Sequence, residues 1–127
     1  MNESAEDYVK TIYVLKKKMG CVRSIDVARE LGFSRASVSV AMANLRKQGI
    51  IVIDSDGMIE LTGRGSKLAK MIHEKHVTLT EFLMAVAGTD ESTAEKEACR
   101  MEHFISQPTF NGIKKYVEEH SELEKKT

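Results

Sequence analysis

No stretch of this 127-residue chain approaches the roughly 18 consecutive apolar residues of a membrane-spanning helix. The N-terminus carries no basic-then-apolar segment of the secretory kind. Cysteine is scarce, with only Cys21 and Cys99. Two cysteines without an export pattern point to a reducing compartment, where a free thiol is a ligand, a nucleophile or core filler. The expected location is the cytoplasm. Gly-rich phosphate loops, H-E-x-x-H and a Ser/His/Asp grouping are all missing, and with them the usual signatures of phosphate binding, zinc hydrolysis and nucleophilic catalysis. There is no internal repeat and no low-complexity tract. What remains is an ordinary globular composition, 42% hydrophobic and 30% charged, long enough for one compact domain or two small ones.

Charge of neither sign dominates, but its placement is uneven. Residues 16–70 hold eleven Lys and Arg against five acids, while residues 71–127 hold seven against eleven and residues 1–15 one against three. A basic middle between acidic ends points to a polyanionic partner for the middle alone.

Apolar residues at Ala5, Tyr8, Ile12, Leu15 and Met19 keep helical spacing, with Ser4 and Asp7 as a capping box and Gly20 as a stop. Lys16-Lys17-Lys18 reads as a solvated last turn. Ser24 is the expected cap of a short helix through Ile25, Ala28 and Leu31, which Gly32 ends. Ser34 is the expected cap of a helix over 35–48, with Val38, Met42 and Leu45 inside. Two helices joined by a tight Gly-containing turn form a helix-turn-helix. The second starts with Ser34, Arg35, Ala36, Ser37 and Ser39, and small hydroxyls beside a guanidinium suit a major groove. Ile50 to Ile53 and Met58 to Leu61 flank the turn signal Asp56-Gly57, so a hairpin follows at once and completes a winged helix. Its tip, Asp54-Ser55-Asp56-Gly57, is acidic and is expected to add little affinity for phosphates. Thr62 caps a long helix to about Ala87, striped with Leu68, Ile72, His76, Leu79, Leu83 and Val86. His73 and His120 read as surface residues. Thr89-Asp90 cap the next helix, and Ser106 opens a last one with Phe110, Ile113 and Val117 inside. Residues 118–127 are charged and expected to fray.

The chemistry-bearing stretch is Glu97-Ala98-Cys99-Arg100-Met101-Glu102-His103. Residues three and four apart on a helix share a face, so Cys99, Glu102 and His103 should converge. Thiolate, carboxylate and imidazole are the side chains that bind divalent transition metals. Taken alone, the same motif also reads as plain packing: Cys99 as a small buried hydrophobe, Glu102 solvated, His103 a hydrogen-bonded core residue. His76, at an apolar position, needs a partner of either kind.

Together these segments resemble the metal-dependent repressor family that includes the diphtheria toxin repressor and the manganese transport regulator. The likeness runs through Glu6-Asp7-Tyr8 with Thr11-Ile12-Tyr13, then Ile25-Asp26-Val27-Ala28 and Ser37-Val38-Ser39. It continues through Leu61-Thr62 with Gly65, His76, Phe82-Leu83 and the Cys99 to His103 motif. The resemblance implies a mainly α chain: a winged helix-turn-helix over 1–62, then an all-helical metal-binding and dimerisation domain over 63–127, with no SH3-like domain. It implies an effector metal held by Asp7, His76, Cys99, Glu102 and His103. Asp7 matches the manganese branch and Cys99 the iron branch. Lys10 stands where the manganese branch has a second carboxylate, and a charged ammonium is no ligand. One well-formed site is therefore expected, with His76 completing it or a weak neighbour. A thiolate among carboxylate and imidazoles suits Fe²⁺, with Mn²⁺ as the alternative and other divalent transition metals binding in vitro.

The resemblance further implies a homodimer, with Leu79, Leu83 and Val86 expected in the two-fold contact. It would read a near-palindromic double-stranded operator and repress metal-uptake genes, with no membrane and no small organic substrate involved. Two other readings compete. One is a winged helix folded around a constitutive structural zinc. The other is a metal-dependent hydrolase, which needs an open coordination position and a separate general base.

Overall fold

The computed structural model describes the backbone of residues 3–126 and the side chains of residues 4–120. In chain order the elements are α1 (Glu3–Met19), α2 (Ser24–Leu31), α3 (Arg35–Lys47), β1 (Ile51–Ile53), β2 (Ile59–Leu61) and α4 (Gly63–Phe82). A π-helical turn (Leu83–Ala87), α5 (Glu91–Met101) and α6 (Gln107–Lys126) follow. The chain is mainly helical, with a small two-stranded sheet. It separates into two compact units, one ending at Met71 and one starting at Ile72. The division falls inside α4, later than the 62/63 boundary read from sequence, and the first turn of α4 is tied to Gln48 and Ile50 ahead of β1.

In the first unit, Tyr8, Val9, Ile12 and Leu15 of α1 are buried with Val27 and Ala28 of α2 and with Val38, Met42 and Leu45 of α3. The turn between α2 and α3 needs Gly32, whose φ of 70° lies in the left-handed region. Its amide donates to the Ala28 carbonyl at 2.9 Å and closes α2. Ser34 caps α3, its Oγ accepting the Ser37 amide at 3.2 Å. Ser24, by contrast, is the first residue of α2. The cap position is Arg23, whose amide donates to the Asp26 carboxylate at 2.9 Å. Ser4 likewise sits inside α1 rather than ahead of it.

The hairpin is antiparallel, with Ile51 opposite Leu61 and Ile53 opposite Ile59. Ile50 precedes β1 and is buried. At the tip, Asp54 Oδ1 accepts the amides of Asp56 and Met58, each at 2.9 Å. The wing's acidity is thus partly spent on its own turn. Arg23 Nε donates to the Asp56 carbonyl at 3.1 Å, tying the start of α2 to the wing. Lys16 is not simply solvated, since it pairs with Glu60 of β2.

Thr62 caps α4 as expected, its Oγ1 accepting the Gly65 amide at 3.0 Å while its hydroxyl donates to the Gly49 carbonyl at 2.6 Å. Gly65 is forced by proximity: a Cβ there would stand 2.0 Å from the Ile50 carbonyl oxygen.

The core of the second unit joins Leu79, Leu83, Ala94, Ala98 and Phe110, with Phe82, Met101, Ile105 and Ile113 packed around them. Leu79 and Leu83 therefore face their own chain, because the stripe they form meets α5. Of the expected two-fold contact only Val86, 52% exposed, remains on the surface. Gly88, at φ 70°, stops the π-helical turn. α6 runs to Lys126, past the point where the charged end was expected to leave the helix, and Thr127 lies outside the described residues. No helix among the described residues is long and apolar enough to cross a membrane.

Two glycine substitutions should have opposite signs. Gly65→Ala should destabilise the protein by about 1–3 kcal/mol, because a rigid backbone oxygen blocks the new methyl. Gly112→Ala, in α6 with nothing within 4 Å of the new methyl, should stabilise it by about 0.5–1 kcal/mol. Denaturant midpoints of the two variants check both.

Candidate metal centre and DNA-reading surface

α5 presents Cys99 from its last turn, and the chain beyond it presents the other two donors. Asp90 starts α5, its Oδ1 accepting the Thr93 amide at 2.7 Å. The Thr93 backbone and side-chain hydrogen bonds hold the Asp90 carboxyl below its usual value. Glu102 is the C-cap residue of α5, and His103 lies in the turn after it rather than in a continuing helix. The three still converge, with the ligand atoms of Cys99, Glu102 and His103 within 4.8 Å of one another.

Glu102 is the centre of the group. Its side chain is 1% exposed, and it lies between two imidazoles. His103 Nε2 stands 3.9 Å from Oε1, and His76 Nδ1, from α4, stands 3.4 Å from Oε2. His76 Nδ1 is buried without a hydrogen bond. A solvated glutamate is thereby corrected to a buried one, and the His103 side chain is 4% exposed. A buried carboxylate is costly unless a cation offsets it. Soft, hard and borderline donors meet at this one place, as a divalent transition metal requires. The residues present fit such an ion.

Asp7, also expected among the ligands, is half-buried on α1 of the first unit. His120, exposed, stacks on Tyr116 with 3.7 Å between ring centroids and takes no part in the group. Lys75 was not legible from sequence. Its ammonium donates to the Glu102 carbonyl at 3.3 Å and lies over the Phe110 ring, so it holds the turn that carries two donors. A lysine 27 residues upstream has no local pattern that would reveal this contact.

On the first unit, Ser34, Arg35, Ala36, Ser37 and Ser39 are all exposed at the start of α3. Arg35 and Ser39 line a shallow cleft with Arg23, Ser24, Ile25 and Gly57. Cations and hydroxyls thus face solvent together at the end of α3 nearest the wing.

Residues 1–57 match the family profile described as iron dependent repressor, N-terminal DNA binding domain. Residues 62–124 match the one described as iron dependent repressor, metal binding and dimerisation domain. The chain is 32% identical over 119 residues to an HTH-type transcriptional regulator of Methanocaldococcus jannaschii, covering 93% of this chain and 95% of that protein. It is 31% identical over 118 residues to the transcriptional regulator MntR of Escherichia coli, covering 93% and 76%. Among solved structures it superposes on the metal-dependent transcriptional regulator MtsR with a TM-score of 0.84 and 26% identity, covering 93% of this chain and 55% of that one. On a manganese-dependent transcriptional repressor in complex with manganese the TM-score is 0.83 at 25% identity, covering 90% and 52%. The chain spans about half the length of those solved structures.

Capping of α5 should give a pH signature. A carboxyl held below its usual value stabilises the fold at neutral pH, and that stability is lost as pH falls through its folded value. Asp90→Asn keeps an acceptor for the Thr93 amide but does not titrate. Relative to that variant, the wild type should lose stability on acidification through the carboxylate range. A stability difference independent of pH would contradict the charged cap.

Proposed function

The chain belongs to the iron-dependent repressor family of DNA-binding transcriptional regulators, and from that premise we propose that it is a homodimeric repressor whose operator binding is switched on by Fe²⁺. It is not an enzyme. The observation that carries the metal-sensing reading is the buried Glu102 carboxylate set among Cys99, His103 and His76. We assign Cys99, Glu102 and His103 as ligands, with His76 as a further donor on the other oxygen of Glu102. Asp7 joins them on its sequence position and its carboxylate chemistry.

When bound, the metal supplies positive charge that compensates the buried carboxylate and thiolate. This chain's own residues do the rest. Lys75 holds the Glu102 turn, and the Asp90 cap holds the start of α5. α1, the helix that carries Asp7, packs on α2 and α3 within the first unit. Metal must favour the DNA-competent arrangement by a coupling of about 1–3 kcal/mol to act as a switch. Cys99 is a soft donor and favours Fe²⁺ over Mn²⁺ relative to a site of oxygen and nitrogen alone. The protein works in the cytoplasm, binds a near-palindromic operator as a dimer and controls metal-uptake genes.

The test is operator retardation with anaerobic Fe²⁺, with Mn²⁺ and with chelator, beside thermal melts. Metal-dependent retardation with a folded apo protein supports the sensor. An apo protein that is unfolded points to structural zinc instead. Glu102→Ala and His103→Ala should each abolish metal activation while the apo protein stays folded. Arg35→Ala should weaken operator binding by about 1–3 kcal/mol and leave metal affinity unchanged. Cys99→Glu combined with Lys10→Glu should shift activation toward Mn²⁺ and raise the stoichiometry to two ions per chain. Unchanged preference and stoichiometry in that double variant would remove both residues from metal selection.

A further inference from the structure

We propose that Val40 recognises the 5-methyl group of thymine, so that each half-site bound by this protein carries a required T opposite that residue. The inference rests on the DNA-binding reading above and deepens it to a base preference.

The buried stripe of α3 is Val38, Met42 and Leu45, at 0%, 1% and 2% exposure. At 3.6 residues per turn, Ala36 and Val40 straddle the direction opposite that stripe. They are therefore the outermost residues of the helix half that carries Arg35 and Ser39. Val40 is 64% exposed. A β-branched residue loses rotamer freedom in a helix, and one left in solvent regains nothing by burial. Local stability thus gives no reason for valine at this place.

The polar groups nearby, Arg35, Ser37 and Ser39, lie to either side of this outward line. Ser34 Oγ accepts the Ser37 amide and donates to Ser37 Oγ at 3.0 Å, so the Ser34 hydroxyl is engaged in starting the helix. Positions 36, 40 and 43 are Ala, Val and Ala, and the first amide side chain on α3 is Asn44. The centre of the outward face therefore has no group for a bidentate contact to guanine or adenine. The one apolar feature a base pair shows in the major groove is the thymine methyl. Valine's two methyl groups, with Ala36 one turn before, form an apolar surface matched to it. The competing role for Val40 is local packing, since it also borders a groove with Ala5, Tyr8 and Ala41.

Uracil separates these roles, because it pairs as thymine does and lacks only the methyl. The probe is a duplex selected from a random library by the metal-loaded wild type, then remade with each thymine replaced singly by deoxyuridine. One replacement per half-site should weaken wild-type binding about fourfold, the worth of one buried methyl. Val40→Ala should be insensitive to that same replacement while keeping its melting temperature and metal response. Val40→Thr, which trades one methyl for a hydroxyl, serves as a second variant if the alanine protein is unstable. Equal binding to every uracil duplex, or unchanged sensitivity in the variants, overturns the inference. Failure of the metal-loaded wild type to retard any duplex overturns the DNA-binding reading, and this inference with it.

Discussion

A carboxylate taken out of water is the constraint on which the sensor half depends. The Glu102 side chain is 1% exposed, with an imidazole near each oxygen. Charging a carboxyl in such a place costs free energy unless a cation lies beside it. Hydrophobic packing of Leu79, Leu83, Ala98 and Phe110 in the same unit supplies the stability against which that penalty is set. The geometry that concentrates the cost also concentrates the benefit of a bound cation. A divalent ion held there, as proposed, would find thiol, carboxyl and imidazole already close together and would have little left to organise. Lys75, at the Glu102 carbonyl, keeps the turn in place without offering a ligand of its own.

The reading half obeys a different constraint, which is close backbone approach. Gly65 lets α4 start hard against Ile50, the residue before β1, and Thr62 bonds both the Gly65 amide and the Gly49 carbonyl. These contacts fix the hairpin relative to α3. The wing's Asp54 is occupied in its own turn, and Arg23 is occupied with the Asp56 carbonyl. Arg23 keeps its other guanidinium donors facing the cleft it shares with Arg35, so cations and the outward face of α3 meet there. Division of labour within this unit follows from which polar groups the turns have already consumed.

Much of this was legible in advance because it is local. Helical spacing placed Tyr8, Ile12 and Leu15 of α1 and the buried residues of α3, though it passed over Val9 and included the exposed Met19, and Ser34, Thr62 and Asp90 signalled three helix starts by their own side-chain oxygens. Ser24 misled, since the cap is one residue earlier and the bond runs from the Arg23 amide to Asp26. Leu79 and Leu83 misled in another way. An apolar stripe shows that something covers it, not whether the cover is the same chain or a second one.

The sequence by itself determined the helical winged architecture and the three-donor motif, because period, caps and i, i+3, i+4 spacing act within a few residues. Tertiary structure alone decided that Glu102 is buried, that His76 meets it across 26 residues of chain, and that Lys75 secures its carbonyl. It alone decided that Leu79 and Leu83 are covered by their own unit. Burial and long-range pairing depend on which faces pack together, and no interaction between near neighbours encodes that.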